Sequence, residues 1–222
     1  MDLFQVGIIS GKVLLITNVL SIVLVNVWSF IYHRERMSRT MILFMLLLLG
    51  TLSVELYSGY LANHGISNLH LTHFYTAGFF LLLSIIYYDL LKRFQLVVPI
   101  GVMLVSGIMI YQLIDSQIVF DQFNTSGFII AACVMMTYAF FYYIEHITAK
   151  EFWDTYNVGL FLYLGGSSVI FLTLNNAKDL GDSYMPVWTI NAWLFVLYQF
   201  FISVTTYRFY RFQRQENGNS PL

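Results

Sequence analysis

The chain has 222 residues, 58% of them hydrophobic and only 10% charged. A soluble domain carries about 25% charged residues, so this composition excludes a soluble fold with a polar shell. The net charge of −1 says nothing of partners, and the single cysteine, Cys133, excludes an internal disulfide and any Cys-based metal site; within its apolar run it reads as a small buried hydrophobe.

Seven apolar stretches follow one another, each near the length that crosses a bilayer, about 20 residues at about 1.5 Å per residue. They fall near 8–32, 40–61, 71–91, 95–114, 127–147, 156–176 and 186–209. The expected fold is all-α: a seven-helix transmembrane bundle over 1–212, then a short disordered cytoplasmic tail over 213–222. The N-terminus has no basic n-region, and its first apolar run is too long for a signal peptide, so it reads as a retained first span.

Span one carries Lys12, Asn18 and Asn26. Asn18 and Asn26 are eight apart and share a face, which suits interhelical glue. Span two carries Glu55, about six residues below its outer end and therefore about 9 Å deep. A charge at depth costs about 2.5–3.5 kcal/mol on insertion scales, so it needs a reason. One reading is a ligand contact, proton site or metal ligand facing the bundle. The other is a structural carboxylate, paired with a neighbouring helix or protonated, since leaving water disfavours the charged form. Lys12, at similar depth on span one, is the natural ion-pair partner for Glu55, although it could instead snorkel to the interface.

His64, His70 and His73 gather in and after the second loop. His70 and His73, three apart, share a helical face. With Glu55 they would make an N/O set suited to zinc, but the spacing carries no metal signature. No metal is expected, and histidines at a polar boundary are the plainer reading. After span three, Asp89 can bond Lys92 and Arg93 within one turn. Asn124-Thr125-Ser126 in the fourth loop is formally a glycosylation acceptor. Span five ends in Glu145 and His146, near Arg208 in depth, as interfacial salt bridges would. In span six Gly165-Gly166-Ser167-Ser168 suits close helix packing, and Asn175 and Asn176 end the span. Trp188 and Asn191 open span seven. Together Glu55, His73, Tyr75, Asn175, Asn191 and Trp188 would line a small outward-open pocket; the alternative is interhelical hydrogen bonding.

Orientation follows from the basic residues. Arg34, Arg36, Arg39, Lys92, Arg93, Lys150, Arg208, Arg211 and Arg214 fall on one face; Lys12 and Lys178 fall on or near the other. The positive-inside rule then puts the N-terminus outside and the C-terminus in the cytoplasm. Trp28, Tyr32, Tyr87, Tyr88, Tyr142, Tyr143, Tyr207 and Tyr210 would mark the inner interface, and Tyr57, Tyr60, Tyr111, Tyr184 and Trp188 the outer one. A trace of repetition links Leu49-Gly50-Thr51-Leu52-Ser53-Val54 with Leu164-Gly165-Gly166-Ser167-Ser168-Val169, and Lys92-Arg93-Phe94 with Tyr210-Arg211-Phe212. It would suit a 3+1+3 parallel repeat with span four as the linker.

No cofactor is expected. A retinal protein needs a lysine deep in span seven, and there is none after Lys178. Spans six and seven have no histidine for a seven-helix zinc amidase. Neither Pro99 nor Pro186 is followed by Gln, as a Pro-Gln-loop carrier would require.

The residues Glu55, Asn68-Leu69-His70-Leu71, His73-Phe74-Tyr75-Thr76 and Phe80 resemble a family of small seven-helix bacterial membrane proteins of unassigned activity. That family carries a Glu in span two, an Asn-Leu-x-Leu approach and Tyr-Thr-x-x-Glu-Phe in span three. The specific match covers about 25 residues, and Phe79 stands at the second acidic position, so shared two-carboxylate chemistry is not implied. The resemblance implies a fold and a multi-pass location in the cell membrane, the bacterial inner membrane, rather than a reaction.

Function ranks as follows. First is a receptor-like, ligand-binding bundle that senses a small molecule or lipid and signals to a separate cytoplasmic or membrane partner. Next come a small-molecule or lipid carrier, then a lipid-modifying enzyme using Glu55 and the histidines, then a structural subunit of a membrane complex. The lipid bilayer is the expected surrounding, and no nucleic-acid partner is expected.

Overall fold

The computed structural model describes residues 3–33, 38–114, 124–147, 153–176 and 185–218. Among them the chain forms seven helices: α1 (Leu3–His33), α2 (Arg39–Asn63), α3 (Leu69–Leu90), α4 (Val97–Ile114), α5 (Thr125–Glu145), α6 (Trp153–Asn176) and α7 (Met185–Gly218). Each contains a stretch long and apolar enough to cross a bilayer, which makes this a multi-pass membrane protein. Two limits differ most from the sequence reading. α1 begins at Leu3, well before residue 8, and α7 continues to Gly218, past the expected boundary at 212. Arg34, Arg36, Lys150, Lys178 and Tyr184 lie outside the described residues, as do the side chains of Asn26, Trp28, Tyr32, Asn175, Asn176 and Arg214.

Hydrocarbon offers backbone groups no partners, so each span must satisfy its own N–H and C=O groups, and a helix does so. The hydroxyls follow the same rule. Thr51 Oγ1 donates to Leu47 O at 2.9 Å, and Thr137 Oγ1 donates to Cys133 O at 2.8 Å. Outward faces are apolar, with Leu20, Leu24, Ile100, Met103, Val169 and Phe200 exposed. Cys133 belongs to this outer surface. That corrects its reading as a buried hydrophobe: in a bilayer an apolar run has no preferred side, and Cys133 turns to the lipid.

α1 packs on α2 and α7, α2 on α3, α3 on α5, α5 on α6, and α6 on α7. Six helices thus close a ring, and α4 lies outside it against α3 and α5. The closest seams are α1–α7 and α6–α7, where small residues let backbones approach. A Cβ on Gly159 would overlap Phe201 Cβ, and one on Gly166 would come 2.6 Å from Leu194 Cδ1. At α1–α7, buried Asn18 donates to Gln199 O (2.9 Å) and Gln199 Oε1 (3.0 Å), and accepts from Ser203 Oγ (2.7 Å). Asn18 therefore acts as interhelical glue.

One end of the bundle carries Arg39, Lys92, Arg93 and Arg208, and its interior is filled. Phe44 meets Trp153 and Tyr156 edge-on at 5.2 and 5.0 Å, and Tyr87, Tyr138 and Tyr142 are fully buried beside them. Tyr87 OH donates to buried Asn157 Oδ1. Two expected pairings change here. Asp89 pairs with Arg39 across the α2–α3 seam, Nε to Oδ2 3.4 Å, rather than with Lys92 and Arg93. Glu145 accepts the backbone N–H groups of Lys92 (2.8 Å) and Arg93 (3.0 Å), while Arg208 bonds Thr155 Oγ1. The reason is local. α3 stops at Leu90, and Leu91 is extended (φ −83, ψ 107), so the next two residues leave the helix with backbone donors to satisfy.

A candidate ligand cleft beside the Lys12–Glu55 pair

The opposite end of the bundle is shaped by the turn after α2. Gly65 takes φ +69, a conformation that side chains other than glycine's disfavour. The turn closes through Gly65 N to Ala62 O (3.1 Å) and Ile66 N to Leu61 O (3.0 Å). It sends the chain back over α2, where Asn68 Nδ2 donates to Ser58 Oγ at 2.6 Å. Asn68 stands just before α3 and makes no side-chain cap to it; its amide is used to tie the loop to α2 instead.

Lys12 sits about 13 Å from the start of α1, and Glu55 about 12 Å from the end of α2, at about 1.5 Å per residue. Lys12 Nζ and Glu55 Oε2 are 3.8 Å apart, and the two side chains are 33% and 39% exposed. Gly59 makes room for the cation: a Cβ there would come 3.3 Å from Lys12 Nζ. The separation exceeds the about 2.7–2.9 Å of a charge-assisted hydrogen bond, so the two heads attract without closing on each other.

Both heads border a cleft of about 470 Å³. Its walls are Phe4, Ile8 and Lys12 of α1, Glu55, Ser58, Gly59 and Ala62 of α2, Asn68, Tyr163 of α6, and Trp188, Asn191, Ala192 and Phe195 of α7. A second cleft of about 280 Å³ lies against it, sharing Glu55, Ser58, Asn68, Trp188 and Asn191 and adding Thr72, Tyr75 and Phe171. Asn191 is fixed by Ser167, which donates to its Oδ1 at 2.8 Å. Below the cleft, Tyr163 stacks on Tyr198 at 5.0 Å, and Tyr198 OH meets Tyr156 OH at 3.0 Å. That aromatic floor merges with the filled half of the bundle, so the cleft ends there.

Of the six residues expected to form a pocket, Glu55, Tyr75, Trp188 and Asn191 come together. The Asn175 side chain lies outside the described residues. His73 does not line these clefts. It faces a small crevice with Thr76, Met109, Asn124 and Phe128, between α3, α4 and α5. The reason is helical rotation: His73 and Tyr75 lie about 200° apart round α3, at about 100° per residue, and Thr72 between them borders both the cleft and the crevice. The alternative metal set Glu55, His70 and His73 is likewise not assembled; among the described residues, no three His, Cys, Asp or Glu side chains converge as metal ligands would. Phe79 is buried and packs on Tyr75, ring centroids 5.5 Å apart.

The glycosylation triplet is built into the structure. Asn124 Oδ1 accepts from Gly127 N at 2.9 Å, capping α5, and its Nδ2 donates to Gln112 Oε1 at 3.0 Å. A sugar on Nδ2 would crowd the bond to Gln112 while leaving Oδ1 able to cap α5.

The sequence reading missed Ser58, Asn68 and Tyr163 as cleft residues. Ser58 carries a usable signal, since it lies three residues after Glu55 on the same face. No protein family, curated protein or solved structure matches the chain.

Proposed function

We propose that this multi-pass membrane protein is a receptor-like, ligand-binding bundle. Its ligand enters the cleft around Glu55 from outside the cell, and occupancy is passed to a separate partner. The observation that carries this reading is the Lys12–Glu55 pair, held 3.8 Å apart with both heads open to a cleft of about 470 Å³. That volume falls in the range of small-molecule sites, about 300–1,000 Å³, and its mixture of apolar walls and a few polar groups is typical of them. In this reading the N-terminus is outside and the basic end faces the cytoplasm, by the positive-inside rule. The chain joins the small seven-helix bacterial membrane proteins that it resembles, in the inner membrane.

A carrier is the second reading. It is favoured by the ring, in which α1–α2–α3 and α5–α6–α7 have matching seams and α4 stands outside, as a duplicated three-helix unit would arrange them. Against it, among the described residues the interior beneath the cleft is packed with aromatic rings.

The test is a thermal-shift screen of purified protein against lipids, small metabolites and divalent metals, with wild type beside Glu55→Gln. A compound that stabilises wild type and not the variant supports the reading. If no compound shifts wild type and the two proteins melt alike, the ligand-binding reading fails. Where a compound does stabilise wild type, its counterflow in vesicles separates carrier from receptor.

A further inference from the structure

Resting on the ligand-binding reading, we propose that the cleft recognises a zwitterion: an ammonium and an acidic group on one short backbone, carrying an apolar substituent. The argument starts from the two heads. Lys12 and Glu55 stand 3.8 Å apart, their side chains 33% and 39% exposed, and both line the cleft. A ligand with one charge meets attraction from one head and repulsion from the other at nearly the same distance. Its net electrostatic gain is therefore small. A zwitterion satisfies both heads at once, its ammonium donating to Glu55 and its acid accepting from Lys12 through charge-assisted hydrogen bonds.

The rest of the cleft fits the same chemistry. Phe4, Ile8, Trp188 and Phe195 offer an apolar wall beside the charged pair, suited to a side chain or the start of an acyl chain. Asn191 lies on that same wall, oriented by Ser167, as an amide that can bind a carboxylate or phosphate oxygen. Such a ligand has two sources: a free apolar amino acid, or the ethanolamine phosphate head of a lipid. Both present the same pair of charges.

The experiment measures melting of the purified full chain in two arms. In detergent, the probes are L-phenylalanine, phenethylamine (the cation alone) and 3-phenylpropionate (the anion alone). In nanodiscs, phosphatidylethanolamine is compared with phosphatidylglycerol. Lys12→Met/Glu55→Gln removes both charges at similar volume, and Ala62→Trp narrows the cleft while leaving both charges in place.

The expected result is a rise of about 5 °C at saturating zwitterion in one arm, which names the source. It should be absent with the singly charged probes and lost in both variants. Equal stabilisation by phenethylamine or phenylpropionate alone would overturn the zwitterion inference while leaving a ligand-binding cleft. No shift with any zwitterion in either arm, while the broader screen finds another stabiliser sensitive to Glu55→Gln, would also overturn it. No shift in this experiment or in the screen would overturn both readings. Should the double variant fail to fold, Ala62→Trp decides: a zwitterion shift as large as in wild type would place binding elsewhere.

Discussion

The Lys12–Glu55 pair can be tested by a double-mutant cycle of Lys12→Met, Glu55→Gln and the double variant. At 3.8 Å, two unit charges attract by about 1 kcal/mol in bulk water and about 4 kcal/mol at an effective dielectric of 20. Exposure of 33% and 39% puts the pair between these limits and toward the wetter one, so the expected coupling is about 1–2 kcal/mol. The sign pattern matters more than the size. Each single change strands the other charge at depth and destabilises the protein. The double change removes both and should melt close to wild type, because an apolar replacement of an inward ion pair is often neutral. Reversible unfolding in mixed detergent, followed by tryptophan fluorescence, measures all four proteins. Salt supplies a second readout, since screening should weaken the coupling of a pair open to a cleft. Additive single effects, with coupling under about 0.3 kcal/mol, would refute the reasoning and make Lys12 and Glu55 independent residues.

Other outcomes follow from the packing. Gly159→Ala places its methyl on Phe201 Cβ, beside the α7 backbone, and should cost about 1–3 kcal/mol by overpacking. Gly78→Ala and Gly107→Ala meet nothing and should be neutral or stabilising by up to about 1 kcal/mol; unfolding midpoints that rank all three alike would contradict the seam. Glu145→Ala removes the acceptor of the exposed N–H groups of Lys92 and Arg93, which water can then reach, and should cost about 1 kcal/mol, while Glu145→Gln keeps an acceptor and should cost less than half of that. Equal losses in thermal melts would show that the carboxylate does not hold this loop. Tyr156→Phe and Tyr198→Phe each leave one buried hydroxyl without its 3.0 Å partner, at about 1 kcal/mol apiece. The double variant should cost less than the sum, and denaturant titration of the set would expose simple additivity.

The spans were legible because a bilayer imposes a length on every apolar run, and that length survives any arrangement of the helices. Each of the seven helices falls on one stretch read from hydropathy, with α1 and α7 extending furthest beyond theirs. The site was half legible for a related reason. Lys12 and Glu55 stand out because charge at depth is costly, and Trp188 and Asn191 because they sit at matching depth. Hydroxyls carry no such penalty when their own helix carbonyls can take them, so Ser58 and Tyr163 look like any other residue of a span. Phe4, Ile8 and Phe195 are hidden more deeply, since an apolar residue lining a cleft reads the same as one facing lipid. His73 was misplaced because depth says nothing of rotation. It lies about 200° round α3 from Tyr75, at about 100° per residue, and which side faces the ring depends on the seams α2–α3 and α3–α5, whose order the sequence does not display. The same ring order pairs Asp89 with Arg39 rather than with its neighbours in the chain.

The two ends of the bundle use polar residues differently, and the difference bears on function. At the basic end each named polar group is closed on another element: Arg39 to Asp89, Glu145 to the α3–α4 turn and Arg208 to Thr155 between neighbouring helices, and Tyr87 to Asn157 across the ring from α3 to α6. These contacts tie helices together around a filled aromatic interior, which is what stability in a membrane asks of polar side chains. At the other end Lys12 and Glu55 join α1 to α2 at a longer distance and remain open to a cavity. A pair meant only to hold α1 on α2 would be better closed, or replaced by leucines, since an ion pair removed from water rarely improves on apolar packing. Stability therefore gives no reason for two charges at that depth. The proposed ligand, completing their coordination, would supply one, and it would also account for the apolar wall beside them and for the amide that Ser167 holds in place.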